Sequence, residues 1–325
     1  MEANSEDEGN RSTGGGFVNN RNGAQAMTRQ YAKCKYLFLL LLPALVWYTI
    51  FSYGPLYGVQ LAFKEFRILQ GIGGSPWIGF HYFEMMLNGS QDFFQIVRNT
   101  LVLSFYHIVF GFPAPIVLAL LFNELRLQWF KKLAQAISYL PHFFSWVVLS
   151  GFLITVLSPS TGVVNQLLEL VHLKPIYFIG DPHYFRFTLV VSGIWKEVGW
   201  GAIIYLAALA STDPQLYEAA VIDGAGRWKQ LLHITLPSLI PVVSIMLIFR
   251  IGGILDAGFD QVLNLYTPAT YQVADILDTY VYRLGLEQMQ FGFATAVGLF
   301  KNVIAFALVL LANYAVRKSG EEGLL

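Results

Sequence analysis

Six apolar stretches, at residues 36–53, 101–122, 139–157, 187–210, 236–255 and 291–315, decide which solvent this chain folds in. A helix rises about 1.5 Å per residue, so roughly 20 residues cross a hydrocarbon core about 30 Å thick. Inside that core each segment must satisfy its own backbone N–H and C=O groups, which makes helices the form for runs of this length. Composition agrees with that solvent. Only 13% of the 325 residues are charged, about half the share of a soluble domain, and the mean hydropathy is +0.51. A net charge of zero leaves no case for nucleic acid. The expected fold is an all-α membrane protein of six spans, the fourth weakest because Lys196-Glu197 interrupts it.

Orientation follows the accumulation of Lys and Arg in cytoplasmic loops. Placing the amino terminus inside gives that face twelve basic residues, including Lys33, Lys35, Lys131, Lys132, Arg227, Lys229, Arg317 and Lys318. The opposite face receives six: Lys64, Arg67, Arg98, Lys174, Arg186 and Arg283. Both termini are therefore expected in the cytoplasm. Residues 1–30, rich in Gly, Asn, Ser and charge, read as a disordered cytoplasmic tail ahead of a transmembrane domain over 31–325. The first apolar run reads as an uncleaved signal anchor. Cys34 has no second cysteine to pair with. Pro43, Pro113, Pro115, Pro141, Pro237 and Pro241 stand in or beside the runs. Each removes a helix hydrogen bond and serves either as a hinge or as a fixed bend.

The segment between the fourth and fifth runs, STDPQLYEAAVIDGAGRWKQLLHITLPSLIP from Ser211 to Pro241, has the chemistry of two short helices set at an angle. Asp213 can cap a helix whose first position is Pro214. Asp223-Gly224 ends it, since glycine accepts the left-handed conformation. A second helix restarts at Trp228 and enters the fifth run. Ala219, Ala220, Gly224 and Ala225 permit close approach of another surface, Leu216, Tyr217 and Leu231 offer apolar contact, and Glu218 offers charge.

EAAVIDGAGRWKQLLHITLP resembles the cytoplasmic signature loop of binding-protein-dependent ABC importer permeases: EAA, then DGA, then LP with twelve residues between Asp223 and Leu236. The resemblance implies a six-helix permease bundle. It also implies a coupling loop over 211–235, in which Glu218, Ala219, Ala220, Asp223, Gly224 and Ala225 sit in a cleft of an ATPase subunit, supported by Leu231 and Pro237. Leu231 replaces the phenylalanine of many members. FSYGPLYGVQLAFKEF, GSPWIGF, QAISYLPHFFSWVV, GFDQVLNLYTPATYQVADILDTYVYRLGL and ATAVGLFKNVIAFALVLLANYAVRKSGEEGLL are similar to the oligo- and polysaccharide subgroup, alginate importers included. The partners so implied are a second permease, two ATP-binding subunits and a periplasmic carbohydrate-binding protein, in the bacterial inner membrane. No GxxxxGK[ST] phosphate loop occurs, so ATP and Mg²⁺ belong to the ATPase partner, and this chain is expected to be no enzyme. The rival reading is a secondary transporter of a small polar solute, which calls for an inverted repeat or broken helices around an ion site.

Lys196, Glu197, Arg250, Lys301 and Asn302 fall inside the expected spans, and Asp256 and Asp260 near the outer end of the fifth. Charges at such depth face protein or water. They line a translocation path or lock helices together, and both readings stand at this stage. Neighbours on a helix diverge by about 100°, so Lys196 and Glu197 are not expected to pair well. Three bases against one acid within the spans suit an anionic substrate. Trp195, Trp200, Tyr205, Phe143, Phe144 and Trp146 can stack on sugar rings or pack against lipid. Val273, Ile276, Leu277, Tyr280, Val281 and Leu284 recur at helical spacing. That pattern predicts one amphipathic helix at the outer surface, with Asp275, Asp278 and Arg283 on its other faces and Gly285 at its end.

Overall fold

The computed structural model describes residues 35–89 and 91–318. The expected tail over 1–30 and Cys34 lie outside the described residues. The chain divides into two compact units, residues 1–58 and 59–325. In the first, α1 (Lys35–Tyr48) continues into a π-helical turn, Thr49–Tyr53. Its sequence carries no charge after Lys35, and Thr49 hides its hydroxyl proton on the Leu45 carbonyl, 2.8 Å away.

The second unit contains α2 (His81–Gly89), α3 (Gln91–Tyr106), α4 (Pro113–Glu124), α5 (Gln128–Tyr139), α6 (Trp146–Val156) and α7 (Val163–Leu170). It continues through α8 (Pro182–Ala210), α9 (Pro214–Ile222), α10 (Leu236–Gly252), α11 (Phe259–Leu265), α12 (Leu277–Tyr282) and α13 (Phe291–Lys318). Among the described residues there is no sheet, only an isolated bridge from Lys64 to Trp77. Five helical runs are long and apolar enough to cross a membrane: Lys35–Phe63, Asp92–Glu124, Pro182–Ala210, Arg227–Gly252 and Phe291–Lys318. A π-helical turn, His107–Gly111, joins α3 to α4 within the second of these. Asp181 begins α8 by accepting the His183 N–H at 2.9 Å, with Pro182 at a position that has no helix donor to lose.

The third apolar stretch departs from the expected straight span over 139–157. Pro141 follows α5, and the helices on either side of 144–145 meet at 108°. α6 has 11 residues, about 16 Å at the helical rise, too short for a crossing. Composition concealed the break, because LPHFFSW is as apolar as the residues after it. The outer helix expected through 273–284 is also interrupted. Tyr271–Ala274 and α12 are separate turns, and between them Asp275 is extended. Asp275 is buried rather than on an outward face. Gly285 falls within a π-helical turn, Arg283–Glu287, instead of ending a helix.

Three buried clusters hold the second unit together. Met86, Phe93, Ile96, Leu277, Phe293 and Val297 join α2, α3, α12 and α13. Leu103, Phe185, Leu189, Val262 and Leu265 join α3, α8 and α11. Ala119, Ala202, Tyr205, Leu209 and Leu239 join α4, α8 and α10. α8 contributes to two of the three and passes very close to the end of α5. A Cβ on Gly199 would lie 2.0 Å from the Ser138 carbonyl oxygen, and backbone cannot yield as a side-chain tip can. Gly199→Ala is therefore expected to destabilise the fold by about 1–3 kcal/mol, seen as a lowered unfolding midpoint in detergent. An unchanged midpoint would contradict this packing.

Candidate functional site

The site is built around the broken stretch at 140–145. The sharp bend there exposes carbonyls that a continuous helix would have used, and α8 supplies donors to two of them. The buried Lys196 donates to the carbonyl oxygens of His142 at 2.8 Å and Phe144 at 3.0 Å. Its ammonium lies 5.8 Å from the centre of the Trp146 ring. Lys196 also comes within 3.6 Å of Glu197, closer than the divergence of sequence neighbours suggested, yet outside hydrogen-bond range. Lys196 thus fastens α8 to the break.

One helical step further, Glu197 accepts from or shares a proton with His142 Nδ1 at 2.9 Å. The His142 ring stacks flat on Trp200, with centres 4.5 Å apart. Glu197 and Trp200 line a cavity of about 590 Å³ together with Trp146, Tyr205, Arg250 and Asp256. Trp195 is not part of it and stacks on Phe152 instead. A second cavity, about 870 Å³, is lined by Asp260, Asp278, Lys301 and Asn302, and shares Trp146, Asp256 and Gly258 with the first. Between them the chain turns out of α10 through Ala257 and Gly258, both left-handed at φ 41° and 81°.

Lys301 on α13 is held by two carboxylates, Asp256 at 2.7 Å and Asp278 at 2.6 and 2.8 Å. Asp256 is 70% exposed, so water screens that pair and it adds little. Asp278 is the more enclosed partner. Burial raises its carboxyl above the ordinary range, and the Lys301 hydrogen bond pulls it back part of the way. These pairs correct the expected excess of positive charge within the spans, because two acids consume Lys301. Nearby, Asp275 and Arg283 form a close ion pair. Burial would lower the Arg283 pKa, but its bonds to Asp275 outweigh that and raise it.

α9 forms an elbow between α8 and α10. Asp213 caps it by accepting from Gln215 N–H at 2.9 Å. Its end is a Schellman turn: Gly224 has φ +72°, Gly224 N–H reaches the Val221 carbonyl at 3.0 Å, and Ala225 N–H reaches that of Ala220 at 2.8 Å. Two side-chain tethers tie the elbow to the start of the fifth run, Thr212 to Ser238 at 3.2 Å and Tyr217 to Thr235 at 3.1 Å. Tyr217 and Leu231 are half-buried. The presented face consists of Glu218, Ala219 and Asp223 with Leu216, Val221, Ile222 and Trp228, of which Ile222 and Trp228 are 85% and 76% exposed. Pro237 is exposed near the start of α10, while Ala220 and Ala225 are half-buried.

Sequence reasoning missed His107, Gln261 and Asp278 as cavity residues. They come from the second run and from the outer segments, with no local motif joining them. Among the described residues no cluster of three or more His, Cys, Asp or Glu side chains can hold a metal ion.

Residues 111–320 match the family of binding-protein-dependent transport system inner membrane components. The chain belongs to this family. It is the multi-pass permease half of an ABC importer, a transport subunit rather than an enzyme, and the matched stretch includes α8, the elbow, α10 and α13. The secondary-transporter alternative falls with that assignment. The permease is 44% identical over 291 residues to Protein LplB of Bacillus subtilis (strain 168), covering 89% of this chain and 91% of the relative. It is 43% identical over 290 residues to the polygalacturonan/rhamnogalacturonan transport system permease protein YteP of the same organism, covering 89% and 90%. Its fold is similar to that of a chain in the crystal structure of a bacterial alginate ABC transporter in complex with an alginate pentasaccharide-bound periplasmic protein. The TM-score is 0.84 at 42% identity, covering 91% of this chain and 99% of that one.

Removing the cation of the second cavity tests its architecture. Lys301→Met leaves Asp278 without its counter-charge and is expected to cost about 3 kcal/mol, read from denaturant unfolding of the purified permease. Adding Asp278→Asn is expected to restore most of that loss. Equal stability of the single and double variants would contradict the pairing.

Proposed function

We propose that this permease, with a second and different permease chain, encloses the import path for an acidic oligo- or polysaccharide, with alginate or its oligosaccharides as the specific substrate. A periplasmic binding protein delivers the sugar. Two cytoplasmic subunits bind ATP with Mg²⁺ and drive the cycle. In this reading both termini and the elbow face the cytoplasm, and membrane lipid surrounds the outer helices. The sugar passes Lys196, Glu197, Trp200, Arg250, Asp256, Lys301 and Asn302 or their immediate supports. Trp195, turned onto Phe152, takes no part.

One observation carries the reading. The elbow connects two helices that line the first cavity, so a push on α9 moves both walls. Trp200 lies ten residues before the end of α8 and Arg250 fourteen after the start of α10, about 15 and 21 Å at the helical rise. The cluster of Ala202, Tyr205, Leu209 and Leu239 fills the space between. Packed elements of this kind transmit displacement as rigid bodies. Glu218, Ala219 and Asp223, with the exposed apolar side chains beside them, form the face that enters a cleft of the ATPase. Gly224 and Ala225 hold the turn, and Leu231 and Pro237 carry it into α10. The substrate class is supported by the similarity to the alginate transporter chain and to the polygalacturonan/rhamnogalacturonan permease. Polygalacturonan and alginate are both uronate polymers.

The double variant Glu218→Lys with Gly224→Asp reverses the charge on this face and strains its turn. It is expected to insert and to retain its partner permease, while substrate-stimulated ATPase activity of the reconstituted importer falls to the basal rate. Full stimulation in the double variant would show that coupling runs elsewhere.

A further inference from the structure

The side chains of Lys196, Lys301, Arg283 and Arg186 have acceptors, whereas Arg250, exposed where it lines the cavity, has none among the described residues. Lys196 bonds two carbonyls, Lys301 two carboxylates, Arg283 bonds Asp275, and Arg186 bonds Asn99 and the Val273 carbonyl. Arg250 lines the 590 Å³ cavity, and among the described residues its guanidinium has no hydrogen bond or ion pair. Two acids of the same cavity, Glu197 and Asp256, act on Arg250 through space, but their hydrogen bonds go to His142 and Lys301.

A second unused group lines that cavity. His107 Nε2 is buried with no hydrogen-bond partner, in a class of atom that native structures almost always satisfy. Space has been left beside it. A Cβ on Gly193 would lie 3.5 Å from His107 Nε2 and 3.4 Å from Gln261 Oε1. One on Gly258 would lie 3.6 Å from His107 Cε1 and 3.3 Å from Gln261 Oε1. The Gln261 amide is oriented by its nitrogen, which donates to the Leu189 carbonyl at 2.7 Å and to Ser192 at 2.8 Å. Its oxygen is thereby directed at the same gap. The cavity therefore holds a guanidinium fork, an imidazole nitrogen and an amide oxygen, beside the indoles of Trp146 and Trp200.

We propose that this niche is a carboxylate-reading subsite for one uronate unit of the transported chain. Arg250 takes the carboxylate, a pairing whose two parallel N–H···O bonds match the planar fork. His107 and Gln261 take ring hydroxyls, and an indole face covers the apolar side of the pyranose. A neutral sugar would fill the same space and leave the guanidinium fork without a hydrogen-bonded carboxylate, which is how a site built for a polar group rejects the analogue lacking it. The subsite rests on the reading of the cavity as the sugar path.

The test is direct binding to the purified complex of both permeases and the ATP-binding subunits, with the binding protein left out so that its own selectivity does not enter. The ligands are a uronate oligosaccharide and the same oligosaccharide with its carboxyls reduced to alcohols. Wild type is expected to bind the uronate form more tightly. Arg250→Gln is expected to lose at least about tenfold for the uronate form, the worth of one charged hydrogen bond, with binding of the reduced form within about twofold of wild type. Arg250→Lys keeps the charge but not the fork and should fall between them, and it carries the test if the glutamine variant fails to assemble. An unchanged preference in these variants would overturn the subsite alone. A wild-type complex that binds neither sugar would overturn both the subsite and the cavity as the sugar path.

Discussion

The interaction on which the rest of this permease depends is the pair of hydrogen bonds from Lys196 to the carbonyls of His142 and Phe144. Lipid offers no donor to a broken helix, and an amide left unpaired there costs several kcal/mol. Pro141 breaks the third apolar stretch, and one ammonium repairs two of the exposed acceptors. The lysine in turn needs its charge balanced, which Glu197 at 3.6 Å and the Trp146 ring provide. Neither group is stable in this place without the other. This mutual requirement docks α8 against the break, with Gly199 admitting the close approach, and brings His142 onto Glu197 and Trp200, which line the cavity.

α8 then has two duties. Its middle shapes the cavity, and its end leads within three residues into the elbow, beyond which α10 returns carrying Arg250. The elbow is anchored at both ends. Asp213 caps it, the Schellman turn at Gly224 closes it, and Thr212 and Tyr217 fasten it to Ser238 and Thr235. What it presents outward is a short helix with exposed apolar residues and two exposed acids, Glu218 and Asp223. Family membership supplies the wider setting, the permease of a binding-protein-dependent importer, and the local geometry supplies a route from that face to the cavity.

Much of the elbow was legible in the sequence because its determinants are local. Asp213-Pro214 starts a helix and Asp223-Gly224 ends one wherever they occur in such spacing, and the structure uses both. The break at Pro141 was hidden because hydropathy counts apolar atoms and is silent on where a helix bends. The outer segment misled for a different reason. Its spacing is helical through 273–284, but burial of the Asp275–Arg283 pair and the hydroxyl of Thr279, which donates to Asp275 at 2.7 Å, interrupt it. Lys301 finds Asp278 across 23 residues and Asp256 across 45, and His107 and Gln261 share the gap beside Gly193 of α8. No periodicity encodes such meetings. The tie from the Tyr217 hydroxyl to Thr235 was not legible either, because a tyrosine on a short helix carries no mark of where its hydroxyl bonds.

The central claim is that the 214–226 elbow lies beneath the bilayer and touches the ATP-hydrolysing partner. The most direct measurement replaces Cys34 with serine, introduces cysteine at Ala219, and treats the intact importer with a short bifunctional thiol crosslinker across a series of engineered cysteines on the ATP-binding subunit. A crosslink whose yield changes on addition of ATP is the expected result. Labelling of the same cysteine from the periplasmic side by a membrane-impermeant maleimide, with no crosslink at any position, would contradict it.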